Sequence, residues 1–167
     1  MAVTPDLQVV YGSDADKAFN NDAPELVLLD ATYGDGAAAA WLMPQLFAIG
    51  EYAGVREKMD EMQTLELAKV IRAKFGHLTV TEMMYFFCNL KAGKYGKFYG
   101  TVDPMVITEA LVKFLDERER HIRRAEEAAA RAERDTYYNR PGTLSPNQVQ
   151  ALRERLDREW EEQENKH

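Results

Sequence analysis

Between Lys91 and Asp103 the chain alternates three lysines, three aromatics and three glycines: Lys-Ala-Gly-Lys-Tyr-Gly-Lys-Phe-Tyr-Gly-Thr-Val-Asp. Lys91, Lys94 and Lys97 are charges that phosphates or carboxylates would meet, and Tyr95, Phe98 and Tyr99 are flat faces on which bases stack. Gly93, Gly96 and Gly100 supply backbone angles closed to other residues. A phosphate-binding Walker loop would need Gly-Lys followed by Ser or Thr, because that hydroxyl holds magnesium. Here Gly93-Lys94 is followed by Tyr95 and Gly96-Lys97 by Phe98, so nucleotide hydrolysis is not expected. Upstream, Lys69, Arg72 and Lys74 add to the positive balance. From residue 69 to 102 six Lys and Arg stand against the single acid Glu82, a net of +5. Three uses fit this pattern: a structural connector pinned by its aromatics, a nucleic-acid contact, or a docking site for an acidic protein surface.

Other chemistry is sparse. His77 falls in a predicted turn between helices, His121 in a charged stretch, and His167 at the last position. None has a serine or cysteine nearby in a nucleophile elbow, and no helix carries paired histidines for zinc. The one cysteine, Cys88, lies in an apolar run and reads as a buried, inert thiol. Asp30 to Gly36 faintly resembles a calcium loop but lacks alternating carboxylates and the closing glutamate. No catalytic residue, metal or cofactor is expected, and neither is enzyme activity.

The net charge of −7 repels a phosphate backbone overall, so a nucleic-acid site would have to be a local patch. Apolar residues at 46% and charged residues at 29% are a globular balance. No run approaches the ~20 apolar residues of a membrane span. Met1 to Asp16 lacks a basic start followed by an apolar core, so a cytoplasmic protein without a secretory signal is the expectation.

The elements around the central stretch read as helices. Residues 1–13 form an N-terminal arm whose apolar run, Leu7 to Tyr11, suits a brief strand or an extended segment. Ser13 caps a short helix through Asn20, and Asp22-Ala-Pro-Glu25 starts another that faces Leu26 and Leu29 inward and stops at Gly34. Ala37 to Ala53 is too apolar for a one-sided surface helix, and Pro44 should kink it or mark a fresh start. Leu67, Val70, Ile71 and Phe75 share a face of the next helix, which Gly76 ends. Thr79 and Glu82 form a capping box before a helix dense in Met and Phe. Asp103-Pro104 opens the following one, with Val106, Ile107, Ala110, Leu111, Phe114 and Leu115 inward. Beyond Ile122 its apolar residues stop, while charges spaced four apart keep it helical, each pair adding ~0.3–0.5 kcal/mol. Pro141-Gly142 breaks it. Ser145, Pro146 and Gln148 then begin a last helix, with Leu144 and Val149 placed for a staple. Val149, Leu152, Leu156 and Trp160 line one of its sides, as a hairpin contact or a seam for another chain.

Trp41-Leu42 with Gln45-Leu46, Thr81-Glu82-Met83-Met84 with Phe86-Phe87, Gly93-x-Tyr95-Gly96-x-Phe98-Tyr99-Gly100 and Val102-Asp103-Pro104 together resemble a group of small uncharacterised proteins of bacterial mobile elements and phage-related regions. The likeness spans Trp41 to Phe114. That group is similar in helical pattern to phage replication accessory proteins such as helicase loaders. The resemblance implies an accessory role and no catalytic residue.

The sequence therefore predicts an all-α protein: an arm (1–13), a helical domain (14–122), and a charged helical extension with a C-terminal amphipathic helix (123–167). Its expected function is a non-enzymatic adaptor of a mobile-element or phage-type replication system, acting through protein partners or through a second copy joined by the C-terminal helices. The alternative is a nucleic-acid binder using Lys91 to Gly100.

Overall fold

Eight helices and no strand make up the described residues, 5–138 and 142–164, of this computed structural model. They are α1 (Pro5–Gly12), α2 (Ala15–Phe19), α3 (Leu26–Tyr33), α4 (Ala37–Ala53), α5 (Glu61–Phe75), α6 (Val80–Lys91), α7 (Pro104–Tyr138) and α8 (Pro146–Glu164). Two compact units divide the chain, residues 1–120 and 121–167, and the division falls inside α7.

The first unit is arranged about α6. Thr79 Oγ1 accepts from the Glu82 backbone N–H, and Glu82 Oε2 accepts from the Thr79 N–H at 2.8 Å, so the predicted capping box is closed. Every residue from Val80 to Phe87 is buried, because α1, α2 and α4 pack around this helix. The second oxygen of Glu82 takes the Arg118 Nε at 2.6 Å, joining the start of α6 to α7. Phe114 of α7 meets Phe86 at 5.6 Å, Phe19 at 6.0 Å and Tyr85 at 6.1 Å between ring centroids. An antiparallel bridge pairs Glu25 with Thr79, through Leu26 N–H to Leu78 O and Val80 N–H to Pro24 O. It ties the entry of α3 to the entry of α6.

Several expectations are corrected. Residues 5–12 are a helix, neither strand nor extended arm. Its buried residue is the polar Gln8, while Val9 and Val10 are exposed. Gly12 sits so close to α6 that an added Cβ would lie 2.2 Å from the Cβ of Cys88. Cys88 is half-buried there, not fully enclosed. The cap of α2 is Asp14, whose carboxylate accepts from the Lys17 N–H; Ser13 instead donates to the Val10 carbonyl. Glu25 precedes α3 without a side-chain cap, so Asp22 does not start it. α4 runs unbroken through Pro44, so no fresh start occurs. The carbonyl that proline leaves without a partner belongs to Ala40, an exposed residue that water can serve. Val70 is exposed, leaving Thr64, Leu67, Ala68, Ile71 and Phe75 as the buried face of α5. That helix begins with a second capping box, Asp60 with Gln63.

In the second unit, residues 123–138 of α7 are all exposed. Arg134 donates to the Ala130 carbonyl, as Arg120 does to that of Asp116 at the end of the first unit, so these guanidiniums serve the helix backbone. α7 runs to Tyr138, and the break predicted at Pro141 lies outside the described residues, as does His167. Ser145 and Gln148 close the predicted box at the head of α8, at 2.8 and 3.3 Å. Leu144 and Val149, the expected staple, are both exposed.

Candidate functional site

The lysine-glycine stretch leaves α6 as a connector with little regular structure. Gly93, Gly96 and Gly100 have φ of 78°, 136° and 80°, the region that excludes branched side chains. Val102 N–H donates to Glu57 O at 3.2 Å, anchoring the far end through a bridge between Glu57 and Thr101.

One carboxylate holds the middle. Glu117 of α7 accepts from Lys94 Nζ and from the Tyr85 hydroxyl at 2.6 Å on one oxygen, and from the Tyr95 hydroxyl at 3.0 Å on the other. Burial alone would raise the Glu117 pKa, but hydrogen bonds from Lys94, Tyr85 and Tyr95 outweigh it and hold the carboxyl below its ordinary value. Burial, and then the Glu117 charge, push the Tyr95 phenol up, so it remains a neutral donor. Its ring is buried and stacked on Phe86 at 5.5 Å. Lys94 also lies 5.2 Å from the Tyr85 ring centroid.

The predicted contact residues therefore separate. Lys94 is in an ion pair with Glu117, Lys91 donates to Gln8 Oε1 at 2.8 Å, and Arg72 pairs with Asp30 at 2.7 Å. Tyr95 belongs to the core and Phe98 packs partly against it. Lys97, Lys69 and Lys74 are exposed, and Tyr99 is 85% exposed. The Asp30 carboxylate, on the stretch that resembles a calcium loop, is taken by the Ala38 N–H and by Arg72, which hold its pKa below the usual value. No metal-binding cluster of His, Cys, Asp or Glu occurs among the described residues.

Glu117, Gln8 and Asp30 are the organising residues that sequence reasoning missed. Glu117 had a signal: it follows Ala110 and Phe114 at spacings of four and three, continuing the inward stripe of α7 with a polar residue.

A second candidate surface lies on α8. Val149, Leu152, Leu156 and Trp160 share one side of the helix and all are exposed, Trp160 by 70%. Among the described residues α8 buries none of its own. Glu159, Glu161 and Glu162 crowd its C-terminal turns, where the helix dipole disfavours negative charge. Arg155 offsets one of them, pairing with Glu159 at 2.9 Å.

The profile of a family of unknown function (DUF6633) matches residues 58–163, well over half the chain. The chain belongs to that family. The stretch it shares with DUF6633 runs from the approach to α5 through most of α8, so it contains both the connector and the α8 stripe. No curated protein and no solved structure matches the chain. Among the described residues, no helix is long and apolar enough to cross a membrane.

Proposed function

We propose that this DUF6633 protein is a non-enzymatic adaptor acting through protein contacts, with the apolar side of α8 as its contact surface. The setting is a mobile-element or phage-type replication system, as the resemblance of residues 41–114 implies. One observation carries the reading: a capped helix of 19 residues carries four spaced apolar side chains on one side and buries none of them. Helices of this length are marginal in water without a packed face. Fully burying one such side chain contributes about 1.5–3 kcal/mol, which a partner groove would supply. The acidic end beside Trp160 favours a partner with cations at that end.

The second reading, nucleic-acid binding, draws on exposed Lys97 and Tyr99 at the tip of the connector, helped by Lys69 and Lys74 on α5. It is weaker because Lys94 and Arg72 already have carboxylate partners and Tyr95 is buried.

Tagged wild type and Leu156→Glu, purified side by side from the native cell, test the adaptor reading. At least one near-stoichiometric protein is expected with the wild type and absent from the variant. If the stripe meets a second copy, light scattering of the wild type reports a dimer that Leu156→Glu dissociates. Identical companions and identical mass for both proteins would overturn the reading.

A further inference from the structure

A groove of about 240 Å³ opens between the end of α4 and the connector. Its apolar lining comes from Ile49, Ala53, Leu90 and Phe98, and its charged lining from Lys91 and Lys97. No acidic residue lines it. We infer that this groove binds a small carboxylate carried on a short apolar body, with Lys91 and Lys97 as its charge partners. The inference goes beyond the adaptor reading and does not depend on it.

Lys91 supplies the half-buried charge of the groove. Its ammonium is half-buried and has one hydrogen-bond acceptor, the neutral Gln8 Oε1. An ammonium carries three donors, so two are left to face water or a ligand. Among the described residues no carboxylate forms an ion pair with it. Burial lowers its pKa from the ordinary lysine value and outweighs the opposing influence of the nearby Cys88 thiol, as expected for a cation stripped of water with no carboxylate beside it. Capping α6 does not account for this placement. The Cys88, Asn89 and Leu90 carbonyls already accept from the N–H groups of Ala92, Lys94 and Gly93. An anion in the groove would restore the missing counter-charge, and Lys97, an exposed residue of the same lining, would add a second cation.

The size and lining set the class. At about 240 Å³ the groove falls below the ~300–1,000 Å³ of pockets for drug-sized ligands. It suits a fragment, and its aliphatic and aromatic walls favour an apolar chain behind the charged head.

Octanoate is the probe, titrated into the full chain by isothermal calorimetry, with octanol and acetate as the uncharged and tail-less comparisons. Saturable octanoate binding is expected with a dissociation constant on the order of 1 mM or tighter. Octanol and Lys91→Gln should each weaken it roughly tenfold or more, the scale of a charge-assisted hydrogen bond. Acetate should show no saturation over the same range. Lys97→Gln, at an exposed position, should weaken binding, and Ala53→Phe, which fills the groove, should abolish it. These two variants decide the matter if Lys91→Gln does not fold. No saturable heat from octanoate up to about 10 mM, equal affinity for octanol, or wild-type affinity in both Lys97→Gln and Ala53→Phe would overturn the inference.

Discussion

Phe114→Ala is expected to lower the stability of the first unit by about 3–5 kcal/mol, the range for truncating a fully buried aromatic. Phe114 has no exposed surface, and its ring lies within 6.3 Å of the rings of Phe19, Tyr85, Phe86 and Tyr95. Those contacts join α2, α6, the connector and α7, so the cavity would open where several elements meet and cannot collapse toward one neighbour. Urea unfolding followed by circular dichroism reads the effect. With a slope of ~1–3 kcal/mol per molar urea, the midpoint should fall by one molar or more. A loss below about 1 kcal/mol would mean that α7 does not complete this core.

Glu117→Ala should cost about 2 kcal/mol, since it leaves two largely buried phenols and one ammonium without their common acceptor. Glu117→Gln keeps an acceptor and loses the charge, so it should fall between wild type and alanine. The pH dependence has a definite sign. The folded-state pKa of Glu117 is below its ordinary value. Its contribution is therefore fully present above the unfolded glutamate pKa of about 4.3 and is lost as pH falls through the lower folded value. The stability gap between wild type and Glu117→Gln should accordingly be constant from about pH 6 to 8 and close below about pH 4. Urea midpoints measured at each pH would show this. A gap that stays constant into acid would mean that the Glu117 charge does not hold the connector.

Three helix starts written in local chemistry were legible, while Ser13 and Asp22 misplaced two others. Thr79 with Glu82, Asp103 with Pro104 and Ser145 with Gln148 each begin a helix where their spacing says, because a cap is decided within three residues. α1 was not legible for the opposite reason. Its buried residue is Gln8, held by Gln45 and Lys91, while Val9 and Val10 face solvent, so the helix is specified largely by distant partners. Pro44 misleads in a similar way. Its penalty is local, but the packing of Leu42, Leu46 and Ile49 on either side of it keeps α4 whole.

The connector shows both outcomes at once. Its glycines announced positive φ angles, and Gly93, Gly96 and Gly100 have them. Its lysines announced only charge. Whether a lysine is offered to a ligand or consumed by the fold depends on acceptors far along the chain. Glu117 lies 23 residues from Lys94, and Gln8 lies 83 from Lys91. Tyr95 and Tyr99 look alike in sequence, yet one is stacked in the core and the other stands in solvent. The α8 stripe was legible as a face.

The choice between protein contact and nucleic-acid contact rests most directly on fluorescence anisotropy of a labelled single strand at ~50 mM salt, where phosphate contacts are strongest. With Lys94 and Arg72 already paired to carboxylates, the adaptor reading predicts flat anisotropy up to tens of micromolar protein. Binding that falls with salt at a slope of about −0.7 per phosphate contact, and that disappears in Lys97→Gln with Tyr99→Ala, would contradict it and make the connector tip a nucleic-acid site.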